Sequence, residues 1–215
     1  VDGELDSVMN YPFRTAIINF MRGWDSGRGF KEAVMSIVEN YPPQTLRLLM
    51  NHIGTHDTER ALTVLGGEPS YGRGRSWQAA QMLNDKQRAV GLRRLQLASL
   101  LQFALPGVPC IYYGDEAGGE GYRDPFNRRP YPWGREDREL VEFFKNTLKL
   151  RDTYDALKYG TTEVLKTAHG VIVFKREYEK SRILCIFNPN THGISVNLQN
   201  MNVSLDAMSF TTVEY

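Results

Sequence analysis

The residues best suited to chemistry lie in one short stretch, TLRLLMNHIGTHDTER, at positions 45–60. His56 and Asp57 are adjacent there, an imidazole beside a carboxylate, with Thr55, Thr58, Glu59 and Arg60 around them. Such a pair can move protons or grip the hydroxyls of a polar ligand. A plainer role is also open, because an Asp at this place can cap a helix starting near Thr58 and Glu59. His52 and His56 stand four apart, a spacing that would suit a metal if both lay on one helical turn. Gly54 between them and the apolar run before them argue against a helix, so no metal site is expected. A second pair, Asp124 and Arg128, is also four apart. It reads either as a ligand contact or as a surface ion pair worth about 0.5 kcal/mol.

The elements that must position these groups are expected as follows. Leu46, Leu48, Leu49 and Met50 make a short apolar run that suits a buried strand over residues 46–50. The apolar character stops at Asn51 and His52, and Gly54 then releases the backbone. A hydrophobic strand ending in His, Asp and Arg is how a parallel (β/α) barrel presents a site. Further strands are expected at 5–10 and 108–113. Helices are expected at 13–21, with Pro12 in the first turn, at 30–40, at 85–105 after an Asn84 cap, and at 136–151. The glycine- and arginine-rich loop at 66–77 matches neither a dinucleotide fingerprint nor a P-loop. It reads as a surface insertion or as a rim to a groove.

Near residue 154 the periodicity changes from helical to alternating. Short strands are expected at 163–167, 171–177, 182–188, 194–198 and 209–215, separated by turn signals at His169-Gly170, Glu179-Lys180 and 188–193. The expected fold class is α/β followed by all-β. Residues 1–153 form part of a parallel barrel, and residues 154–215 form a small antiparallel β domain. A whole (β/α) barrel takes about 250 residues. Only about 150 precede the change of pattern, so the simplest expectation is the C-terminal piece of a longer protein.

Three motifs resemble, in order and spacing, those of the alpha-amylase family of glycoside hydrolases. VMNYPF at 8–13 resembles the sixth barrel strand and its exit in the neopullulanase and cyclomaltodextrinase branch. THDTER at 55–60 resembles the family's fourth signature region, after the seventh strand. PGVPCIYYGDE at 106–116 resembles the eighth strand and its exit. DPFNRRPYPW at 124–133 then resembles the loop bordering the substrate groove. The likeness is close over the first two-thirds of the chain; the last third is similar only as a type of domain.

The resemblance implies a TIM barrel entered at about its sixth strand. It implies retaining cleavage of α-1,4 or α-1,6 linked glucans through an oxocarbenium-like transition state. Asp57 would be the carboxylate that grips the hydroxyls of the sugar being cleaved, and His56 a second donor to that sugar. Asp124 and Arg128 would line the glycone side of the groove. Tyr122, Phe126 and Trp133 offer flat surface for sugar rings or for loop packing; Glu116 would be structural, and Glu59 and Arg60 are weaker candidates. The resemblance implies no cofactor and no metal. The family's nucleophile Asp and acid/base Glu follow the fourth and fifth strands. No residue here matches them, and Asp2, Glu4 and Asp6 do not fit.

Two functions remain open. One is part of an alpha-glucan glycosidase acting on maltodextrin, cyclodextrin, pullulan or starch. The other is a non-catalytic sugar-binding or assembly module. Either would partner an alpha-glucan and the remainder of the barrel or another copy of the chain. Apolar side chains meant for absent strands, Val8, Leu48 and Ile111 among them, should be exposed.

Composition narrows the partners. Over 215 residues, 26 Lys and Arg nearly cancel 25 Asp and Glu, and a net charge of +1 argues against a polyanion. The cluster Arg88, Arg93 and Arg94 reads as an exposed helix face rather than a nucleic-acid site. No apolar run approaches the length of a membrane span. Cys110 and Cys185 both lie in apolar runs and read as small buried residues rather than a disulfide. That favours a reducing compartment, and so the cytoplasm over secretion.

Overall fold

Three stretches of chain run side by side in the same direction and set the geometry of everything else. In the computed structural model, which describes residues 7–198 and 201–215, Met9 bridges Met50 in parallel. Met50–Asn51 (β1) in turn pairs in parallel with Val108–Pro109 (β2). Helices fill the intervals, as parallel connections require. Tyr11–Arg22 (α1), Gly27–Asn40 (α2) and the single turn Pro43–Leu46 (α3) precede β1. Ala61–Gly66 (α4), Arg75–Ala80 (α5) and Asp85–Ala104 (α6) separate β1 from β2.

Both expected strands are corrected in position. Residues 46–50 do not form one strand: Pro43 starts a helical turn that runs through Leu46, and the ladder begins only at Met50. Pro needs no amide partner at a helix start, so Pro42-Pro43 turns the chain before the apolar run can extend. The strand expected at 108–113 is only Val108–Pro109, although the Cys110 amide still donates to the Asn51 carbonyl at 2.7 Å. A turn, with the Asp115 amide on the Tyr112 carbonyl, then ends it. The strand expected at 5–10 begins outside the described residues; its later part is the bridge at Met9. The parallel sense stands throughout.

The helix starts follow from local chemistry. The Asn10 side chain accepts from the Phe13 amide, and Pro12 sits in the first turn of α1. Ser26 caps α2, so this helix starts earlier than its apolar pattern suggests. Asn84 and Gln87 form a reciprocal capping box on α6. Asp137 caps Arg138–Thr153 (α7), and a short helix, Asp155–Tyr159 (α8), follows.

A second sheet begins at Thr161. Thr161–Lys166 (β3), Ile172–Tyr178 (β4), Ser181–Asn188 (β5) and Ser209–Glu214 (β8) form one antiparallel sheet in that spatial order. Ile194–Leu198 (β6) and Met201–Leu205 (β7) form a separate hairpin. β7 was not expected; its apolar residues alternate with Asn and Ser, so it has no continuous apolar run. The period of two explains the apolar stretch ILCIF. Cys185, Phe187 and Phe174 face the helices and share a core with Phe13, Phe30, Leu95 and Leu101, whereas Val173, Leu184 and Ile186 face the hairpin and pack on Val196 and Leu205. Both cysteines are free.

Two arginines bind the C-terminal end of α6 to its surroundings. The fully buried Arg176 of β4 donates to the carbonyls of Ala104, Thr161 and Gly160. Arg151 of α7 donates to the carbonyls of Phe103, Leu105 and Gly107. Cations suit a helix C-terminus, where carbonyls lack intrahelical partners. Burial pulls the Arg176 guanidinium down to about 9 and that of Arg151 to about 10, so both stay charged at pH 7.

Candidate active site

The polar residues after Asn51 and those after Cys110 meet at the end where β1 and β2 finish. Segment 52–60 leaves β1 as an irregular loop. Thr55 and Thr58 brace it: the Thr55 amide donates to the Thr58 hydroxyl, and the Asp57 amide donates to the Thr55 hydroxyl. At its tip His56 Nε2 lies 3.3 Å from Asp57 Oδ2, with the two side chains 53% and 59% exposed. Asp57 caps no helix: α4 starts at Ala61, its N-cap residue is Arg60, and no side-chain cap bond is made there. The capping role is thereby removed, and the carboxylate stands free to meet a ligand.

Behind the tip the loop is pinned by Arg60. Its amide donates to the Gly121 carbonyl at 2.9 Å. Its guanidinium donates to the Tyr113 carbonyl and lies 3.4 Å from Asp115 Oδ1. It also sits 4.5 and 4.6 Å from the ring centres of Tyr112 and Tyr113, a double cation–π contact. Burial pushes the Asp115 carboxyl up to about 7 against the pull of Arg60. Gly54 is required beside it, since an added Cβ would come 1.9 Å from Asp115 Oδ2. His52, at the start of the loop, is buried. Its ring packs edge-on against Tyr11 at 4.6 Å, and burial, with Arg14 adding to it, lowers its pKa to about 4. At pH 7 His52 is neutral, and its surroundings differ from those of His56.

The second loop carries Asp124 and Arg128, whose carboxylate and guanidinium approach to 2.6 Å while each stays about half exposed. The turn Phe126–Arg128 between them is a short 3-10 helix. It buries Asn127, whose side-chain Nδ2 donates to the carbonyls of His56 at 2.8 Å and Thr58 at 2.7 Å. Next to this contact, Arg123 Nε donates to Glu59 at 3.1 Å and the Gly121 amide donates to Thr63. The structure therefore brings the pair His56 and Asp57 against the turn that bears Asp124 and Arg128. Burial alone would raise the Glu59 carboxyl, but hydrogen bonds from Ser70 and Arg123 hold it below its usual value.

The other sequence candidates divide. Tyr122 is buried against Trp77 and serves packing. Phe126 is half-buried, whereas Trp133 is 81% exposed beside Tyr131. The loop after α4 is tied in by Ser70 on Glu59 and by the Tyr122 hydroxyl on the Glu68 carbonyl. Of the basic cluster, Arg88 pairs with Glu120 and Asp137, and Arg94 donates to the Leu65 carbonyl. Sequence reasoning missed Asp115 and Asn127. Asn127 carried no signal beyond its place between Asp124 and Arg128.

Known proteins similar to this chain fall in one family. A family model described as the alpha amylase catalytic domain matches residues 2–152. An amylopullulanase of Thermoanaerobacter thermohydrosulfuricus is 41% identical over 184 residues, covering 80% of this chain and 12% of that protein. A cyclomaltodextrinase of Thermoanaerobacter pseudethanolicus is 33% identical over 188 residues, covering 86% of this chain and 29% of that protein. A solved cyclomaltodextrinase superposes with a TM-score of 0.74 at 30% identity, over 90% of this chain and 30% of that one. A debranching enzyme of Nostoc punctiforme gives 0.82 at 22% identity, over 100% and 47%, a likeness of fold alone. The chain thus spans less than a third of the length of the curated relatives it matches. The parallel segments with their helices are part of a TIM barrel, and the antiparallel strands are the β domain that follows it. With most of its length inside the catalytic-domain match, the chain belongs to the alpha-amylase family of glycoside hydrolases.

Proposed function

We propose that the chain supplies the sugar-gripping side of a retaining alpha-glucan glycosidase site. Asp57 binds the hydroxyls of the sugar under attack as charge develops, and His56 donates to the same sugar. Asp124 and Arg128 hold the neighbouring sugar on the glycone side. The nucleophile and the general acid come from barrel strands outside these 215 residues, whose boundary with the β domain we place between 153 and 154. The observation that carries this reading is the junction of the two half-exposed pairs at one end of the parallel strands.

The face turned away from the helices supports a partner of barrel type. Val8, Leu48, Met50, Val108 and Ile111 are 37–49% exposed, and they cluster on or next to the parallel segments. Such strands are normally buried on both faces. The remainder of the barrel, or a second copy of the chain, would cover them. The test is light scattering on the 215-residue chain, paired with reducing-sugar release from maltodextrin and cyclodextrin. Association without hydrolysis is expected. A monomer that hydrolyses either substrate would overturn the reading, because it would require a nucleophile and an acid among residues assigned other roles.

A further inference from the structure

Asn127 has a position no other residue shares. It lies inside the turn that bears Asp124 and Arg128, it is fully buried, and its one amide nitrogen donates to two carbonyls, those of His56 and Thr58. These carbonyls flank Asp57 on the chain. The orientation of the amide is fixed by them: flipped, it would set an oxygen against two acceptors. Asn127 thus holds the backbone on both sides of the exposed carboxylate while its own backbone carries the second pair. We infer that Asn127 is a positioning residue that fixes Asp57 relative to Asp124 and Arg128, so that two adjacent sugars are held in register. The inference rests on the function proposed above for those pairs.

Among the described residues, the other contacts between the two loops lie away from the carbonyls that flank Asp57. Arg123 on Glu59 is an exposed cation on a largely buried carboxylate, and salt screens such contacts. Arg60 pins the base of the loop to Gly121 and Tyr113, beyond its tip. Without Asn127 the carbonyls of His56 and Thr58 lose their side-chain donor, and the tip keeps its local braces at Thr55 and Thr58. A misplacement of about 1 Å at a reacting centre can cost roughly a hundred-fold in rate.

The test uses the enzyme that carries this chain, with an aryl α-glucoside that offers one sugar and an aryl α-maltoside that offers two. Asn127→Ala should lower kcat on both by about ten- to a hundred-fold and should erase the preference for the maltoside. Asn127→Ser, which keeps a shorter hydroxyl donor and disturbs the fold less, should fall between wild type and Asn127→Ala. Each variant is assayed well below its own melting temperature. Wild-type kcat and wild-type maltoside preference in Asn127→Ser or Asn127→Ala, with only a lowered Tm, would overturn the positioning role. Full turnover in Asp57→Asn would instead overturn the underlying site assignment.

Discussion

Asp57→Asn, in the enzyme that carries this chain, should cut kcat by roughly a hundred-fold or more while KM for maltodextrin moves only a few-fold. The reason is differential binding. Hydrogen bonds that a carboxylate accepts from the sugar hydroxyls tighten as the ring takes on oxocarbenium character, and they are weaker in the ground state. An amide has the same shape and lacks the charge. A hundred-fold corresponds to about 2.7 kcal/mol lost from the transition state and little from the bound substrate. Stability should barely change, because the Asp57 side chain is more than half exposed and caps no helix. Steady-state kinetics on maltodextrin with a melting curve for each protein decide the matter. Near-normal turnover would remove Asp57 from the mechanism.

The largest expected effect on stability lies outside the candidate site, at Arg176. Its side chain is wholly buried and satisfies three carbonyls drawn from α6 and from the entry to β3. Arg176→Ala leaves those carbonyls without their donor and opens a void beside Phe174 and Cys185. Hydrogen bonds from charged donors and the cost of orphaned acceptors put the loss at about 3–5 kcal/mol. That is a large part of the 5–15 kcal/mol typical of a domain. Arg176→Lys should lose less, because it keeps the charge but offers one ammonium in place of a planar fork. Urea melts of the three proteins measure this directly. A loss below about 1 kcal/mol for Arg176→Ala would show that the barrel part and the antiparallel sheet are not joined through this side chain.

Much of this molecule is legible in its sequence where the pattern is long and repeated. The helix over 85–104 announces itself by its apolar spacing and its Asn84 cap, and the strands of the antiparallel sheet by their alternation. Short elements are not legible in this way. β1 and β2 have two residues each, too few for any period, and of the apolar run at 46–50 only Met50 joins the ladder. The short helices at Pro43–Leu46 and Ala61–Gly66 likewise lie below the length at which periodicity speaks.

The candidate site shows the same division. His56, Asp57, Asp124 and Arg128 are exposed groups whose types and order carry a signal. Arg60, Asp115 and Asn127 act by burial, and burial is a property of the folded chain. Arg60 looks like an ordinary surface arginine in THDTER, yet the fold buries it against two tyrosine rings and beside a buried carboxylate. Asn127 between two charged residues looks like a turn former, and its real partners are 69 and 71 positions away.

In the function proposed above, the loops after β1 and β2 form one surface for two consecutive sugars. A crystal structure of the enzyme with a bound maltotriose-like inhibitor tests it most directly. The account predicts Asp57 and His56 within hydrogen-bond distance of the hydroxyls of one ring, and Asp124 and Arg128 on the hydroxyls of the next. An inhibitor seated so that Asp57 faces solvent, or bridging neither pair, would contradict it.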